Sequence, residues 1–162
     1  MQIDTTLLPV RGNDAVEILL NDHKVIKKLL SRLTKANGSS REQVLEQLKG
    51  ALTIHNATEE NLVYPAINKV AGSKAESAHL YHETAEADVL LFELDSMLKE
   101  GDDVAFQSKA EKFQDAVLHH IDEEENKAFP RLQENAEPEQ AELLADSVRT
   151  FRSSLHFETA PA

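Results

Sequence analysis

Two eleven-residue stretches of this sequence repeat one arrangement of histidine, glutamate, an aromatic residue and proline. The first, HNATEENLVYP, begins at His55, and the second, HIDEEENKAFP, begins at His120, 65 positions later. In both stretches a glutamate follows the histidine by four residues, and the aromatic residue and the proline end the pattern. The chain therefore carries one local structure twice, and its fold must accommodate both copies.

Glycine, proline and capping residues divide the chain into long helical segments. No alternating pattern of convincing length predicts a strand. We predict helices at about 13–36, 39–72, 73–101, 103–134 and 138–156. The residues that indicate these starts are Asn13, Ser39 with Glu42, Ser73 with Glu76, Asp102 with Asp103, and Pro138 as a first-turn residue.

The short connections between the predicted helices indicate how the helices are arranged. Pro65 and Pro130 fall inside the second and fourth helices, where each must kink the helix or restart it as a short last segment. Connections of two to four residues favour antiparallel neighbours. We therefore predict an all-α fold, an up-down-up-down four-helix bundle at about 13–135, with an additional C-terminal helix at about 138–156 packed outside it as a lid or interface. A chain of 162 residues with 41% apolar content suits one domain, so residues 1–162 are predicted to form it.

The composition limits the chemistry of a site and the choice of partners. The chain has no cysteine, which excludes disulfides and thiolate metal sites, so a bound metal must be held by nitrogen and oxygen. A net charge of -12 is repelled by phosphate backbones and anionic lipids, so we expect no nucleic acid and no membrane as partners, but small molecules or cations. The N-terminus, MQIDTTLLPVRGND, lacks a basic start and a long apolar run, which predicts a cytoplasmic protein.

Histidines continue the apolar stripes of the helices. Steps of three and four residues mark one helix face. By this criterion the second helix directs His55 and Glu59 into the core, the fourth directs His120 and Glu124, and the first directs His23. In the third helix a shared stripe contains Ala78, His82, Ala85, Glu86 and Val89. Each of the four helices is therefore predicted to bury a histidine.

Seven inward-facing imidazoles and carboxylates require positive charge among them. Burying an ionised carboxylate without a partner costs several kcal/mol, and these stripes carry no lysine or arginine. Two metal ions would supply the charge, because iron and manganese accept imidazole and carboxylate ligands, whereas a single zinc ion usually needs four ligands. The competing interpretation is a metal-free bundle that docks a partner, with hydrogen-bonded core histidines and surface His-x3-Glu pairs.

These residues resemble the bacterial hemerythrin-like proteins, or His-His-Glu cation-binding domains, whose ligand order is His, His-x3-Glu, His, His-x3-Glu. The resemblance covers about residues 13–132 and is carried by DAVEILLNDH, HNATEENLVYP, HETAE and HIDEEENKAFP. It implies a hemerythrin-like four-helix bundle that holds two iron ions, bridged by oxide or hydroxide alongside Glu59 and Glu124. We therefore expect His23, His55, Glu59, His82, Glu86, His120 and Glu124 as the ligands, of which Glu86 is the one that the family order does not include.

The third helix departs from the pattern of the oxygen carriers. Oxygen-carrying hemerythrins are expected to have His-x3-His there, whereas this sequence has His82 followed by Glu86. A carboxylate ligand favours Fe(III) and fills a position that a small ligand would use, so we expect less reversible oxygen carriage. If Glu86 is not a metal ligand, two alternatives remain: it orients His82, or it faces solvent. His79, one turn before His82, competes with it as a ligand, and the family spacing favours His82.

The functional expectation is redox chemistry or binding of a small oxidant, either peroxide, nitric oxide or dioxygen. The alternative is a non-enzymatic module that binds, senses or stores iron, oxygen or nitric oxide, because one such site supports both roles. Ferritin-like oxidation fits less well, since that fold uses Glu-x-x-His pairs. His119 is predicted to be exposed. Four further side chains lie near enough in sequence to contact the site as hydrogen-bond partners, or in the case of the tyrosines as ligands: Tyr64, Tyr81, Glu60 and Glu125.

Overall fold

A computed structural model describes residues 4–155 of the chain, and within this range it contains helices and no strand. A short 3₁₀ turn at Thr5–Leu7 precedes seven α-helices. These are α1 (Ala15–Leu33), α2 (Gly38–Thr58), α3 (Tyr64–Val70), α4 (Lys74–Glu100), α5 (Asp103–Glu123), α6 (Phe129–Asn135) and α7 (Pro138–Ser154). The prediction of an all-α fold is confirmed.

Four long antiparallel arms form the bundle. The arms are α1, α2 with α3, α4, and α5 with α6. Each arm contacts two neighbours: α1 contacts α2, α2 contacts α4, α4 contacts α5, and α5 contacts α1. These contacts confirm the predicted up-down-up-down bundle. Helix α7 packs outside against α1 and α2. It ends at Ser154 in the structure, and residue 156, where its end was predicted, lies outside the described residues.

The caps of two helices differ from their predicted positions. Helix α1 is capped by Asp14, not Asn13, because the Asp14 carboxylate accepts a hydrogen bond from the amide of Glu17 at 2.8 Å. Helix α2 is capped by Asn37, whose amide donates to Ser40 Oγ at 3.2 Å, and this pair lies two residues before the predicted pair. Both shifts are small because neighbouring polar residues compete for the same free amides at a helix start.

The repeated motif interrupts two arms with a wider π-helical turn. These turns span Glu59–Val63 and Glu124–Ala128. In the first, the amide of Tyr64 bonds to the carbonyl of Glu59, five residues earlier, and the second copy repeats the bond. Pro65 and Pro130 then fall in the first turns of α3 and α6, where a missing amide hydrogen costs nothing. Of the two predicted alternatives, a kink or a restart, the structure shows a restart, and each new helix begins one residue before its proline.

Two apolar clusters lie at the two ends of the bundle, and the histidines lie between them. On α1, Leu19 belongs to one cluster, Ile26 belongs to the other, and the buried His23 separates them. Phe113 lies in the larger cluster and Phe129 in the smaller one. The polar layer is thus enclosed by apolar side chains along the bundle axis. In the described part of the chain, no helix is long and apolar enough to span a lipid bilayer.

Candidate metal centre

Five of the seven predicted ligands meet in one buried cluster. They come from α1, from the ends of α2 and α5, and from the first residues of the two π-helical turns, and all five are buried. The wider turns begin at the glutamates, a placement typical of functional sites. The cluster consists of His23, His55, Glu59, His120 and Glu124.

One face of the cluster is formed by two imidazoles and one oxygen of each glutamate. The Nε2 atoms of His23 and His55 lie 3.2 Å apart. Glu59 Oε1 is 3.2 Å from His55 Nε2, and Glu124 Oε2 is 3.2 Å from His23 Nε2. One ligand atom of each residue lies within 4.8 Å of all the others. Four potential ligand atoms therefore surround one point.

The opposite face is centred on the hydroxyl of the buried Tyr64. This hydroxyl lies 3.1 Å from Glu59 Oε2, 2.8 Å from Glu124 Oε1 and 3.0 Å from His120 Nε2. His120 Nε2 is 3.3 Å from Glu124 Oε1. Each glutamate thus presents one oxygen to each face. The prediction that Tyr64 contacts the site is confirmed.

A carboxylate lies behind each of the three clustered histidines. Because an ionised carboxylate accepts only, it fixes the hydrogen on Nδ1 and turns the lone pair of Nε2 toward the cluster. Glu125 was predicted for such a role, whereas sequence reasoning missed the other two. The contacts to Nδ1 are Asp22 Oδ2 to His55 at 3.3 Å, Glu125 Oε1 to His23 at 2.9 Å and Glu83 Oε2 to His120 at 3.0 Å.

Each of these three carboxylates has a basic partner. Asp22 pairs with the guanidinium of Arg152, which α7 inserts from outside the four-helix bundle. Glu125 accepts from the Lys27 ammonium at 2.9 Å. The Glu83 carboxylate instead lies against two surface histidines. Thus the acids that orient the cluster are held by residues from α1, α4, α5 and α7.

Two oxygens in the cluster have no hydrogen-bond partner in the described part of the chain. They are Glu59 Oε1 and Glu124 Oε2, and both are buried on the face formed with His23 and His55. A buried carboxylate oxygen without a donor costs free energy. These oxygens face two imidazole nitrogens whose other sides are already bonded to carboxylates. The donor set, imidazole nitrogen and carboxylate oxygen, fits a first-row transition cation.

Without a metal, protons must balance the charge of the cluster. Burial lowers the pKa of His55, but the charge of Glu59, the hydrogen bond to Asp22 and the charge of Asp22 outweigh it and raise that pKa to about 10. Burial likewise lowers the pKa of His120, but Glu124 outweighs it and the pKa rises to about 9. Burial also raises the pKa of Tyr64 well above its usual value, and the charges of both glutamates add to this. Metal binding must therefore displace protons from imidazoles.

The prediction that α4 turns His82 and Glu86 into the core is wrong in this structure. Their side chains are 69% and 64% exposed, and they pair with each other at 3.3 Å. Helix α4 buries another face, because its leucine stripe runs nearly the whole helix whereas the predicted stripe ends at Val89. The inward residues of α4 are Ser77, Leu80, Thr84, Ala87 and Leu94.

The remaining predicted neighbours lie around the cluster. Tyr81 packs edge-to-face on Tyr64 with ring centroids 4.9 Å apart, and its hydroxyl donates to the Glu60 carbonyl at 2.6 Å. His79 and His119 are both exposed, as predicted for His119. Tyr81 and Glu60 therefore support Tyr64 and contribute no side-chain ligand to the cluster.

A small void of about 10 Å³ borders the cluster between the arms. Its wall includes His55 and His120, together with Thr84 and Ala87 of α4. This space is close to the minimum that one water molecule needs. It therefore admits only molecules of a few atoms to the histidines.

Four antiparallel helices around a buried histidine and glutamate cluster define a cation-binding helical bundle. Residues 14–132 match the family model described as the hemerythrin HHE cation binding domain. That match covers more than half of the chain, and the chain belongs to this family. The matched range ends before α7, so Arg152 lies beyond it.

One curated relative extends the comparison. A protein from Nostoc sp. (strain PCC 7120), described as a DNA nickase, is 24% identical over 140 residues. The alignment covers 86% of this chain but only 39% of the relative, so the chain spans about two-fifths of its length. No solved structure is significantly similar to the chain.

Proposed function

We propose that this protein holds two iron ions at the buried cluster and uses them for redox chemistry on a small oxidant. One observation carries the proposal, namely that Glu59 and Glu124 each present one oxygen to each of two faces. A carboxylate placed in this way would hold two cations, one at each oxygen. A single ion would leave the second face of the cluster without a cation.

The two faces differ in their terminal ligands. The first ion would bind His23 and His55, and the second would bind His120 and Tyr64, with both glutamates shared. Two imidazoles with a carboxylate match the ligand preference of non-haem iron. A phenol oxygen adds a hard anionic donor that favours Fe(III), as Glu86 was expected to do. Tyr64 thus takes the place that the sequence assigned to the third predicted helix.

When bound, the irons would supply two electrons, one from each ion, which matches the reduction of hydrogen peroxide and two protons to two water molecules. The protein supplies positions and protons. In the metal-free cluster the Tyr64 hydroxyl is shared between the two glutamates, and it would give up its proton on binding an iron. Glu83, in contact with His120 on one side and with surface histidines on the other, provides a route for protons from solvent.

The surroundings of the cluster favour small substrates. Half of the residues that line the void beside His55 and His120 are apolar, among them Ile26, Leu52 and Val117. Such a space favours the smallest candidate substrates, which are nitric oxide, dioxygen and peroxide, over larger organic molecules. The apolar shell also limits the access of water to the reacting atoms.

Anaerobic mixing of the reduced, iron-loaded protein with hydrogen peroxide tests this proposal. We expect one peroxide to oxidise two irons, and repeated turnover when an electron donor is present. Glu124→Gln is the matched variant, because it keeps the side-chain size but removes a bridging carboxylate, and it should lose one iron. Reversible binding of nitric oxide or dioxygen, with no oxidation by peroxide, would overturn the redox assignment in favour of the sensing or storage module.

We do not propose DNA nicking, the activity in the name of the Nostoc relative, for this chain. The chain covers only 39% of that protein, and its net charge of -12 opposes contact with a phosphate backbone. Incubation of the purified chain with supercoiled plasmid should therefore leave the plasmid intact.

A further inference from the structure

The three carboxylates behind the clustered histidines differ in their outer partners. Asp22 is held by Arg152 and Glu125 by Lys27, and both partners carry a permanent positive charge. Glu83 is instead held by His79 and His119. Imidazoles, unlike guanidinium and ammonium groups, are metal ligands. Of these three carboxylates, therefore, only Glu83 has outer partners that can bind a cation arriving from solvent.

At Glu83, one carboxylate oxygen lies close to a histidine nitrogen from each of two helices. The Nε2 atom of His79, on α4, lies 3.2 Å from Glu83 Oε1, and the Nε2 atom of His119, on α5, lies 3.3 Å from the same oxygen. Metal–ligand bonds of about 2.0–2.2 Å place neighbouring ligand atoms at about this separation. Both histidines are more than half exposed, so their rings can turn toward a shared ion at little cost.

We propose that His79, His119 and Glu83 form a second, outer site for a divalent first-row transition cation. Water completes its coordination, since both imidazoles are open to solvent. Glu83 is the anchor, because its side chain is only 9% exposed and its other oxygen contacts His120 Nδ1 at 3.0 Å. The net charge of -12 raises the local concentration of cations at the surface.

The outer site lies on the way to the buried cluster. Glu83 touches His120 directly, so a captured cation is separated from the centre by one carboxylate and one imidazole. At the other two acids, Lys27 and Arg152 repel an approaching cation. We therefore assign the outer site the role of capturing iron for the centre, and this role, unlike the site itself, rests on the proposed function.

The exposed pair of His82 and Glu86 provides an internal control. It lies on the same helix with the same four-residue spacing, and its atoms are 3.3 Å apart. It lacks both a second histidine and a contact with the cluster among the described contacts. An ordinary surface pair and the proposed site can therefore be compared within one protein.

Zinc binding to the iron-loaded protein tests the outer site. Calorimetry should count one added Zn²⁺ per chain in the parent and in His82→Gln, and none in the double variant His79→Gln/His119→Gln. In the metal-free protein, whatever the buried centre binds, Zn²⁺ should also shift the ring nitrogen resonances of His79 and His119. The proposed outer site would be refuted if the double variant still bound the added zinc, or if His82→Gln no longer bound it.

Iron loading tests the role of the site. Metal-free parent and double variant, mixed anaerobically with Fe²⁺, should reach the same final iron content, but the double variant should load about tenfold more slowly. Equal rates would refute delivery while leaving the zinc site intact. A parent that takes up no buried iron would instead refute the proposed function, and the shift of the His79 and His119 resonances by Zn²⁺ in the metal-free protein would still test the outer site.

Discussion

Arg152→Met tests whether α7 is part of the centre. The Arg152 side chain is 3% exposed, pairs with Asp22, and donates from Nε to the Thr58 hydroxyl at 2.5 Å. Asp22 in turn accepts from His55, so the guanidinium neutralises the acid that orients a proposed ligand. Methionine keeps much of the buried volume and removes the charge, so the loss is mainly electrostatic rather than a cavity effect.

The expected cost of Arg152→Met follows from the burial of the Arg152–Asp22 ion pair. Removing one partner of a buried ion pair costs about 3–5 kcal/mol, and the loss of a group that orients a metal ligand lowers metal affinity about 10- to 100-fold. The free energy of unfolding, from urea titration of the metal-free protein, measures the first effect, and competition with a chelator measures the second. Arg149→Met is the control, because Arg149 is 40% exposed. The loss of its pair with Asp146 at 3.1 Å and of its bonds to the carbonyls of Gly12 and Asn13 should cost less than the loss of the buried pair.

The double variant Arg152→Met/Asp22→Asn separates charge from packing. Asparagine still accepts from His55 but needs no counter-charge, so the double variant should recover part of the lost stability. If Arg152→Met unfolds like Arg149→Met and keeps its metal affinity, the reasoning about α7 is refuted.

Three further predictions address the cluster. Tyr64→Phe removes a buried donor shared by both bridging glutamates, and it should lower the unfolding free energy by about 1–3 kcal/mol in thermal or urea unfolding; an unchanged midpoint would contradict the observed hydrogen bonds. In the metal-free protein, His55 and His120 have pKa values raised from 6.5 to about 10 and about 9, so their stabilising contribution is complete below about pH 6.5 and disappears as the pH rises through those values. Unfolding free energies at about pH 6, 8 and 10 should fall in that order, and a rise would reverse the assigned sign. Glu86→His changes an exposed residue, so the iron content, spectrum and reduction potential should match the parent, and a shift in potential would return Glu86 to the centre.

The fold could be predicted because its signals are local and repeated. Caps, glycines and prolines indicated all five helical segments, and the doubled motif indicated a kink or a restart at Pro65 and at Pro130. The π-helical turns were not predictable as such, since a proline in a helix is compatible with either a kink or a restart. Their effect is to widen the backbone at the two glutamates that both faces share.

The cluster could be predicted wherever a histidine extends a long apolar stripe. This held for His23, His55 and His120, whose stripes run the length of their helices. It failed for His82, because α4 has two competing stripes and the one with more leucine was buried. Asp22 and Arg152 gave no sequence signal, since their contact joins residues 130 positions apart and depends on how α7 packs.

The number of irons bound per chain tests the central claim most directly. Protein grown with ample iron, or reconstituted anaerobically with Fe²⁺, should contain close to two irons per chain by metal analysis, and the value should fall to about one in Glu124→Gln. The oxidised protein should show charge-transfer absorption in the near ultraviolet, which Tyr64→Phe changes if the phenol binds iron. One iron per chain in the parent, or zinc alone after growth with ample iron, would contradict the two-ion centre.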